Sequence, residues 1–372
     1  MPRRAATTLY KILRTVSRVL HVGSLGLPGR EPTAILCICL SHLGDLVLLT
    51  PLFANLRLRY PQAQIAVVCK SVVADVARNH PAVDEVITYE ARWTLRPESP
   101  RAGFLDTVKL IRELRAGSYD LLVICYDHPM DRILGFCTGI HTQICLDAAK
   151  AAQPKTAVEG THLRHRVEHA FDLLRALEVP IVDTVPSIGL PAADVAWADE
   201  WLREQGLMGK TILGVHPGAG GLRWPADRFA RVAEHLAAKF DCKVVVTGSP
   251  VDAEAVQGFV ESVRTTVVQA PVTLTVGKLC ALIRRFALLL CNDCGPMHIA
   301  AALRVPVIAV FGDSSPALWA PCPADPRHVV VESSDGRMVS VTVEQVVGAI
   351  AGSPHLMQHL SGGSSLVLKS PE

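Results

Sequence analysis

Residues 34–60 read AILCICLSHLGDLVLLTPLFANLRLRY and contain the pattern that decides the fold. The run Ala34–Leu40 is apolar throughout, which is typical of a parallel strand that is buried on both faces. Leu46–Tyr60 predicts a helix that ends before Pro61, because proline disfavours helical backbone at the residue that precedes it. Gly44 permits a tight turn between the two. A strand, a turn and a helix in direct succession predict an α/β domain on a parallel sheet.

The same alternation continues on both sides of a joint at Pro180–Pro191, which holds three prolines. The further predicted strands are Gln64–Cys69, Val86–Tyr89, Leu121–Cys125, Thr211–Val215, Lys243–Thr247, Thr266–Gln269, Leu288–Cys291 and Val307–Phe311. Helical patterns separate them, and two such alternations predict two doubly wound, Rossmann-like parallel sheets. Residues 128–160 give no clear pattern. The tail after Gly352 is rich in Ser and Gly, which predicts a mobile end.

The predicted domain organisation has four parts. Residues 1–32 hold a basic helix and a linker, and residues 33–185 form the first Rossmann-like domain. Residues 186–340 form the second such domain, and residues 341–372 supply a C-terminal helix and the tail. A chain of 372 residues suits two domains of about 150–200 residues each.

Composition excludes several classes of protein. Hydrophobic residues make up 49% and charged residues 19%, which argues against disorder. The net charge of +2 gives no support to nucleic-acid binding. No stretch of eighteen apolar residues is present, so no membrane span is expected.

Cysteine usage points to a reducing compartment. The eleven cysteines are odd in number, and six of them lie in or beside apolar runs, where cysteine acts as a small hydrophobe. Those six are Cys37, Cys39, Cys69, Cys125, Cys242 and Cys291. We therefore expect a cytoplasmic protein without disulfides.

Residues 7–20 predict an amphipathic helix with one apolar face and one basic face. Lys11, Arg14 and Arg18 lie on the basic face, and Arg3 and Arg4 precede the helix. Such a helix can lie peripherally in an anionic membrane interface. The alternative is a terminal helix that docks on its own domain.

Asp45 opens the helix after the first strand, in the motif Leu40–Asp45. The helix dipole and free backbone N–H groups favour an ionised carboxylate at this position. Such a carboxylate can act as a general base toward a hydroxyl group. The alternative is a plain helix cap without a catalytic role.

Two further loops follow predicted strands of the second half. His216–Pro225 holds Gly218 and Gly220, which let backbone approach a ligand, and Arg223, which can offer a charged fork to a phosphate. In Cys291–His298, backbone N–H groups at the start of the next helix could hold a diphosphate. Cys291 and Cys294 form a CxxC pair, but no second pair exists to complete a zinc site.

Two other turns fall at the same predicted rim of the second sheet. In Thr247–Glu254, Glu254 or Asp252 could accept hydrogen bonds from the hydroxyl pair of a ribose. An acidic first helical turn is the alternative explanation. Phe311–Pro316, which contains Gly312, ends the last core strand.

Taken in order, these motifs resemble glycosyltransferase family 9, the ADP-heptose:lipopolysaccharide heptosyltransferases. The resemblance runs from about Ile35 to about Ile350. The residues that carry it are Ile35–Asp45, His216–Gly220, Arg223–Pro225, Asn292–His298, Ala300–Leu303 and Val307–Gly312.

The resemblance implies a GT-B architecture, in which the two domains face each other across a cleft. It implies that the first domain takes a lipid-linked core oligosaccharide as acceptor and the second takes a nucleotide-sugar, ADP-heptose. It also implies an inverting transfer without metal or cofactor, at the cytoplasmic face of the inner membrane. In this scheme Asp45 is the catalytic base. The implied donor-binding residues are His216, Gly218, Gly220, Arg223, Glu254, Asp293, Cys294, Gly295, His298 and Gly312.

Two positions depart from the family pattern. Cys294 stands where the family usually has Thr, and Asp313 stands where it usually has Pro. Two alternative functions therefore stay open: a transferase of the same fold with another nucleotide-sugar or a protein acceptor, and a silent nucleotide- or glycan-binding assembly factor. A nicotinamide dehydrogenase is disfavoured because GxGxxG follows neither first strand.

Overall fold

The computed structural model describes residues 30–91, 102–126, 128–146 and 164–361. The predicted helix at residues 7–20 lies outside these ranges. The chain divides into two compact units, one of residues 1–162 and 167–184, and one of residues 163–166 and 185–372. Among the described residues, no helix is both long enough and apolar enough to cross a membrane.

The first unit is built on a five-stranded parallel sheet in the order β3-β2-β1-β4-β5. Its strands are β1 (Ala34–Ile38), β2 (Gln64–Cys69), β3 (Glu85–Thr88), β4 (Leu121–Ile124) and β5 (Gln143–Cys145). Its helices are α1 (Leu43–Arg59), α2 (Ala74–Arg78), α3 (Phe104–Ala116), α4 (Pro129–Thr138) and α5 (Glu168–Ala176). A short 3₁₀ turn, Ser71–Val73, precedes α2.

The second unit is built on a six-stranded parallel sheet in the order β11-β10-β9-β6-β7-β8. Its strands are β6 (Ile212–His216), β7 (Lys243–Val246), β8 (Val267–Gln269), β9 (Leu288–Asn292), β10 (Val307–Phe311) and β11 (Val329–Glu332). Its helices are α6 (Ala192–Glu204), α7 (Ala226–Phe240), α8 (Ala253–Ser262), α9 (Val276–Ile283), α10 (Gly295–Ala302), α11 (Pro316–Trp319), α12 (Val343–Ala351) and α13 (Pro354–Ser361).

The strand orders confirm two doubly wound parallel sheets. They also locate the switch point of each sheet, where the order in which successive strands are added reverses. In the first sheet this switch point lies between β1 and β4, and in the second it lies between β6 and β9. Ligands of doubly wound sheets bind outside the carboxyl ends of the strands at such points. The loop with Asp45 follows β1, and the loops with Arg223 and Asp293 follow β6 and β9.

Apolar strands and the inner faces of the helices form the core of each unit. In the second unit the core includes Trp224 and Phe229, whose rings meet edge to face with centroids 5.0 Å apart. In the first unit, Leu36, Ile38 and Leu122 belong to the corresponding cluster. These residues hold the strand ends, and therefore the loops that follow them, in fixed positions.

The prediction of a mobile tail after Gly352 was wrong for the described part of the tail. Residues Pro354–Ser361 form helix α13, in which Leu356 and Leu360 are buried in the second core. Composition misled here because Ser and Gly are concentrated beyond residue 361, outside the described range. Strands β5 and β11 were also not predicted, since both are short, and helix α4 was not predicted because it lies in residues 128–160, which give no clear pattern.

Helix α13 offers a direct test of this packing. We expect Leu356→Ala to lower the free energy of unfolding of the second domain by about 2–5 kcal/mol, because Leu356 is fully buried and the change leaves a cavity. Urea denaturation followed by circular dichroism measures the change. His355→Ala, at an exposed neighbouring position of the same helix, is the matched control. Equal stability of the two variants would show that α13 does not contribute to the core.

Candidate functional site

Asp45 lies in the first turn of α1 and is tied to the turn that precedes the helix. The Ser41 hydroxyl donates a hydrogen bond to Asp45 Oδ2 at 2.5 Å, and the backbone N–H of His42 donates to the same oxygen at 3.2 Å. The carboxylate is half-buried. Both bonds use one oxygen, so Oδ1 remains available to a proton donor. The side chain therefore acts as a helix cap through Oδ2 alone.

Tyr126 lies next to this turn, two residues after the end of β4. The ends of β1 and β4 are adjacent, as the Sγ atoms of Cys39 and Cys125 show at 3.1 Å from each other. The Tyr126 hydroxyl oxygen is buried and makes no hydrogen bond of normal geometry with the described residues. Burial and then the charge of Asp45 raise the pKa of Tyr126 well above its usual range, although Ser41 partly opposes the rise. The phenol therefore stays protonated beside the Asp45 carboxylate.

Asn292, the last residue of β9, joins the two loops at the switch point of the second sheet. Its amide nitrogen donates to the carbonyls of Pro217 at 2.8 Å and Gly218 at 3.3 Å. Its amide oxygen accepts the backbone N–H of Trp224 at 2.9 Å. Asn292 is fully buried, so these bonds compensate its desolvation and fix both ends of the glycine-containing loop.

Trp224 anchors the far end of that loop in the core. Its indole nitrogen donates to the carbonyl of Val341 at 2.8 Å, and the side chain is buried. Arg223, the preceding residue, is therefore held at the surface of the site by a rigid neighbour. The Arg223 side chain is partly exposed, but its Nε atom is buried and has no hydrogen-bond partner among the described residues.

His216 lies beneath the same loop, not at its surface. The ring is buried, and its Nδ1 atom is 3.0 Å from Thr247 Oγ1. Its Nε2 atom is 4.0 Å from Asp252 Oδ2. Burial lowers the pKa of His216, and Arg223 adds to the effect while Asp252 opposes it. The ring therefore supports the loop from below as a neutral group.

The first turn of α10 is the third part of this site. Cys294 is the N-cap residue in extended backbone and forms no side-chain cap, so its thiol does not compete for the amides of the first turn. Gly295 opens the helix, and His298 lies in it with its ring 6.1 Å from that of Trp319. Asp293 donates its backbone N–H to the carbonyl of Val310 at 3.2 Å, which places it between β9 and β10.

The remaining predicted donor residues occupy different surroundings. Gly220 is exposed in the loop after β6, and Glu254 is exposed in the first turn of α8. Gly312 is buried after β10, where a Cβ atom would lie 2.7 Å from the Met338 side chain. Asp313 is exposed. Asp45 belongs to the other unit. The structure thus brings seven of the predicted donor residues to one switch point: His216, Gly218, Arg223, Asp293, Cys294, Gly295 and His298.

The cysteines are free, and those predicted in strands are buried. Burial raises the pKa of Cys39 to about 11 and that of Cys69 to about 12, so these thiols stay protonated at neutral pH. No group of three or more His, Cys, Asp or Glu side chains that could hold a metal ion occurs among the described residues.

The neutral state of His298 gives a testable pH dependence. Burial lowers the pKa of His298 to about 3, and His165 contributes in the same direction. As pH falls below about 6.5, His298 becomes protonated in the unfolded chain but stays neutral in the folded protein. Between pH 6.5 and 4 we therefore expect wild type to lose stability relative to His298→Gln, by up to about 1.4 kcal/mol per pH unit.

Urea unfolding at a series of pH values measures this difference. His235→Gln replaces an exposed histidine of α7 and serves as the control. Parallel stability profiles for wild type and His298→Gln would contradict a neutral buried ring.

The sequence model of glycosyltransferase family 9 (heptosyltransferase) matches residues 107–347. Lipopolysaccharide heptosyltransferase 3 of Escherichia coli K12 is 26% identical over 299 residues, which cover 75% of this chain and 82% of that protein. Among solved structures, a glycosyltransferase family 9 protein of Veillonella parvula has a TM-score of 0.72 at 25% identity, with 88% of this chain and 99% of that chain covered. The E. coli ADP-heptose LPS heptosyltransferase II has a TM-score of 0.68 at 21% identity, with 87% and 99% covered.

Proposed function

Because the chain belongs to glycosyltransferase family 9, we propose that it transfers a heptose from ADP-heptose to an acceptor in the core of lipopolysaccharide. The names of two similar proteins support the choice of sugar and acceptor: one is a lipopolysaccharide heptosyltransferase, and the other an ADP-heptose LPS heptosyltransferase. The second domain supplies the donor site and the first domain supplies the catalytic base.

The Nε atom of Arg223, which is buried and has no hydrogen-bond partner in the part of the chain that the structure describes, is the observation that carries this proposal. A buried donor without a partner is costly, and an anionic oxygen satisfies it with a charge-assisted hydrogen bond. The switch point also holds the start of α10, where backbone amides and the helix dipole favour negative charge. A diphosphate supplies oxygens to both groups. Arg223 and these amides therefore stabilise the charge that grows on the departing ADP.

Asp45 serves as the general base in this proposal. Its Oδ1 atom accepts the proton of an acceptor hydroxyl as the hydroxyl oxygen attacks the anomeric carbon and the bond to ADP breaks. A single displacement of this kind inverts the anomeric configuration. Arg223 and the amides of α10 provide the electrostatic stabilisation of the leaving group, so the proposed reaction needs no metal ion.

The experiment that tests this function supplies purified protein with ADP-heptose and a lipopolysaccharide whose core lacks its outer heptoses. We expect release of ADP, a heptose-bearing product with inverted anomeric configuration by NMR, and equal rates with and without EDTA. UDP-glucose and UDP-N-acetylglucosamine serve as donor controls. Turnover of one of these donors, but not of ADP-heptose, would favour a same-fold transferase with another sugar. ADP binding without turnover of any donor would favour a silent binding protein.

We also propose peripheral contact with the cytoplasmic face of the inner membrane. The basic and apolar pattern of residues 7–20 supports it, because lysine and arginine side chains are attracted to anionic lipids. Co-sedimentation with phosphatidylglycerol vesicles should fall when residues 1–22 are deleted. Binding that is unchanged by the deletion would support a helix that docks on its own domain.

A further inference from the structure

Asp252 is a buried carboxylate that the proposed reaction does not use. It is 6% exposed and lies in the turn between β7 and α8. The backbone N–H of Ser249 donates to Asp252 Oδ2 at 3.1 Å, and the Ser249 hydroxyl donates to the same oxygen at 2.6 Å. Both groups orient the carboxylate toward the neighbouring loop after β6. A carboxylate held in this way is committed to protein contacts and is not free to bind a ribose.

The other carboxylate oxygen faces Arg223. Asp252 Oδ1 is 3.6 Å from Arg223 Nη2. The contact is possible because Gly218 has no side chain: a Cβ atom there would lie 2.3 Å from both Cγ and Oδ1 of Asp252. Gly218 therefore lets the loop after β6 pack directly on the carboxylate.

Three oxygens surround the Nη2 atom of Arg223. Besides Asp252, they are the carbonyls of Ala219 at 3.5 Å and Val251 at 3.3 Å. The Nε atom of the same guanidinium has no partner among the described residues. Because the guanidinium is planar and rigid, holding one nitrogen fixes the direction in which the others point. The oxygens hold Nη2 and leave Nε for a ligand.

We propose that Asp252 is a positioning residue that holds the Arg223 guanidinium in the orientation required to bind the diphosphate of the donor. This inference rests on the proposed function of Arg223 and adds a residue to it. Asp252 also carries a cost, since a negative charge near a diphosphate repels it. Positioning and repulsion predict opposite effects of removing the charge, which makes the proposal testable.

A double-mutant cycle with ADP as the probe separates the two effects. We expect Asp252→Asn to weaken ADP binding about tenfold in the wild-type background, because the guanidinium loses its charged partner. In the Arg223→Gln background the same change should alter ADP affinity less than about twofold. Isothermal titration calorimetry gives both values. Tighter or unchanged ADP binding in Asp252→Asn, or an equal loss in both backgrounds, would overturn the proposal.

Asp241→Asn is the matched control, since it removes the same charge from the turn before β7, at the opposite edge of the sheet. Asp241 is fully exposed and has a left-handed backbone that asparagine tolerates. Circular dichroism should show that all variants keep the wild-type fold.

A ligand-free measurement distinguishes failure of this inference from failure of the proposed function. In a ¹H–¹⁵N NMR spectrum of the protein without ADP, the Arg223 Nε–H signal should shift or broaden in Asp252→Asn but not in Asp241→Asn. If wild type binds no ADP, the proposed donor is wrong, and this signal still decides whether Asp252 orients Arg223. An unchanged signal would overturn the positioning role.

Discussion

Replacement of Asp45 by asparagine is expected to lower kcat for heptose transfer by about 10²–10⁴, the range that general-base catalysis contributes. The amide keeps the size of the side chain but cannot accept the proton of the attacking hydroxyl. The affinity for ADP should change little, because the proposed donor groups belong to the second domain. Initial rates of ADP release give kcat, and calorimetric titration gives the ADP affinity.

Asp106→Asn is a close structural control for this variant. Asp106 occupies the same position of α3 that Asp45 occupies in α1, and it accepts the backbone N–H of Gly103 at 2.6 Å. Both changes therefore weaken an equivalent helix cap. A comparable fall of kcat in both variants, or wild-type kcat in Asp45→Asn, would remove Asp45 from the mechanism.

Replacement of Arg223 by glutamine is expected to weaken ADP binding by about 10- to 100-fold, because charge-assisted hydrogen bonds contribute about 1.5–3 kcal/mol each. The loss should shrink as salt concentration rises, since salt screens the attraction between the guanidinium and the diphosphate. Titration of ADP at about 50 and about 500 mM NaCl, which differ roughly tenfold in ionic strength, measures both effects.

Arg231→Gln removes the same charge from α7, the helix that follows the loop. Arg231 is exposed and pairs with Glu344 at 3.1 Å, so its loss should leave ADP affinity unchanged. An Arg223→Gln variant that binds ADP as tightly as the Arg231→Gln variant would show that the unpaired Nε atom does not face a phosphate. The proposed donor site would then lose its main support.

The fold could be predicted largely from local patterns. Gln64–Cys69 and Val307–Phe311 have the predicted bounds because buried parallel strands are continuous apolar runs with sharp ends. Strand β5 has three residues, and strand β11 has only three apolar residues in succession, so both runs are too short to indicate a strand. Helix α13 was missed because its two buried leucines are too few to indicate a helical period.

The candidate site could be predicted only in part, for a different physical reason. Strand-to-helix turns are local, so the loops with Asp45, Arg223 and Asp293 were identifiable. The roles of Asn292 and Asp252 depend on loops that are distant in the chain. Asn292 is the polar last residue of the otherwise apolar strand β9, and this change of polarity was the sequence signal that could have indicated its role. For Asp252, the sequence could not reveal that Ser249 and Gly218 commit the carboxylate to the protein.

Residues 164–166 bear on how this protein can be divided for study. They precede α5 in the chain, yet they associate with helix α11 and the residue that follows it: Arg166 donates its backbone N–H to the carbonyl of Leu318 at 2.9 Å, and His165 Nε2 lies 2.9 Å from the carbonyl of Ala320. The Arg166 guanidinium also covers the Trp319 ring at 4.9 Å. Recombinant halves separated at residue 184 would break these contacts. The C-terminal half would lose the guanidinium that covers the Trp319 indole, and the N-terminal half would carry His165 and Arg166 without their partners in α11 and Ala320.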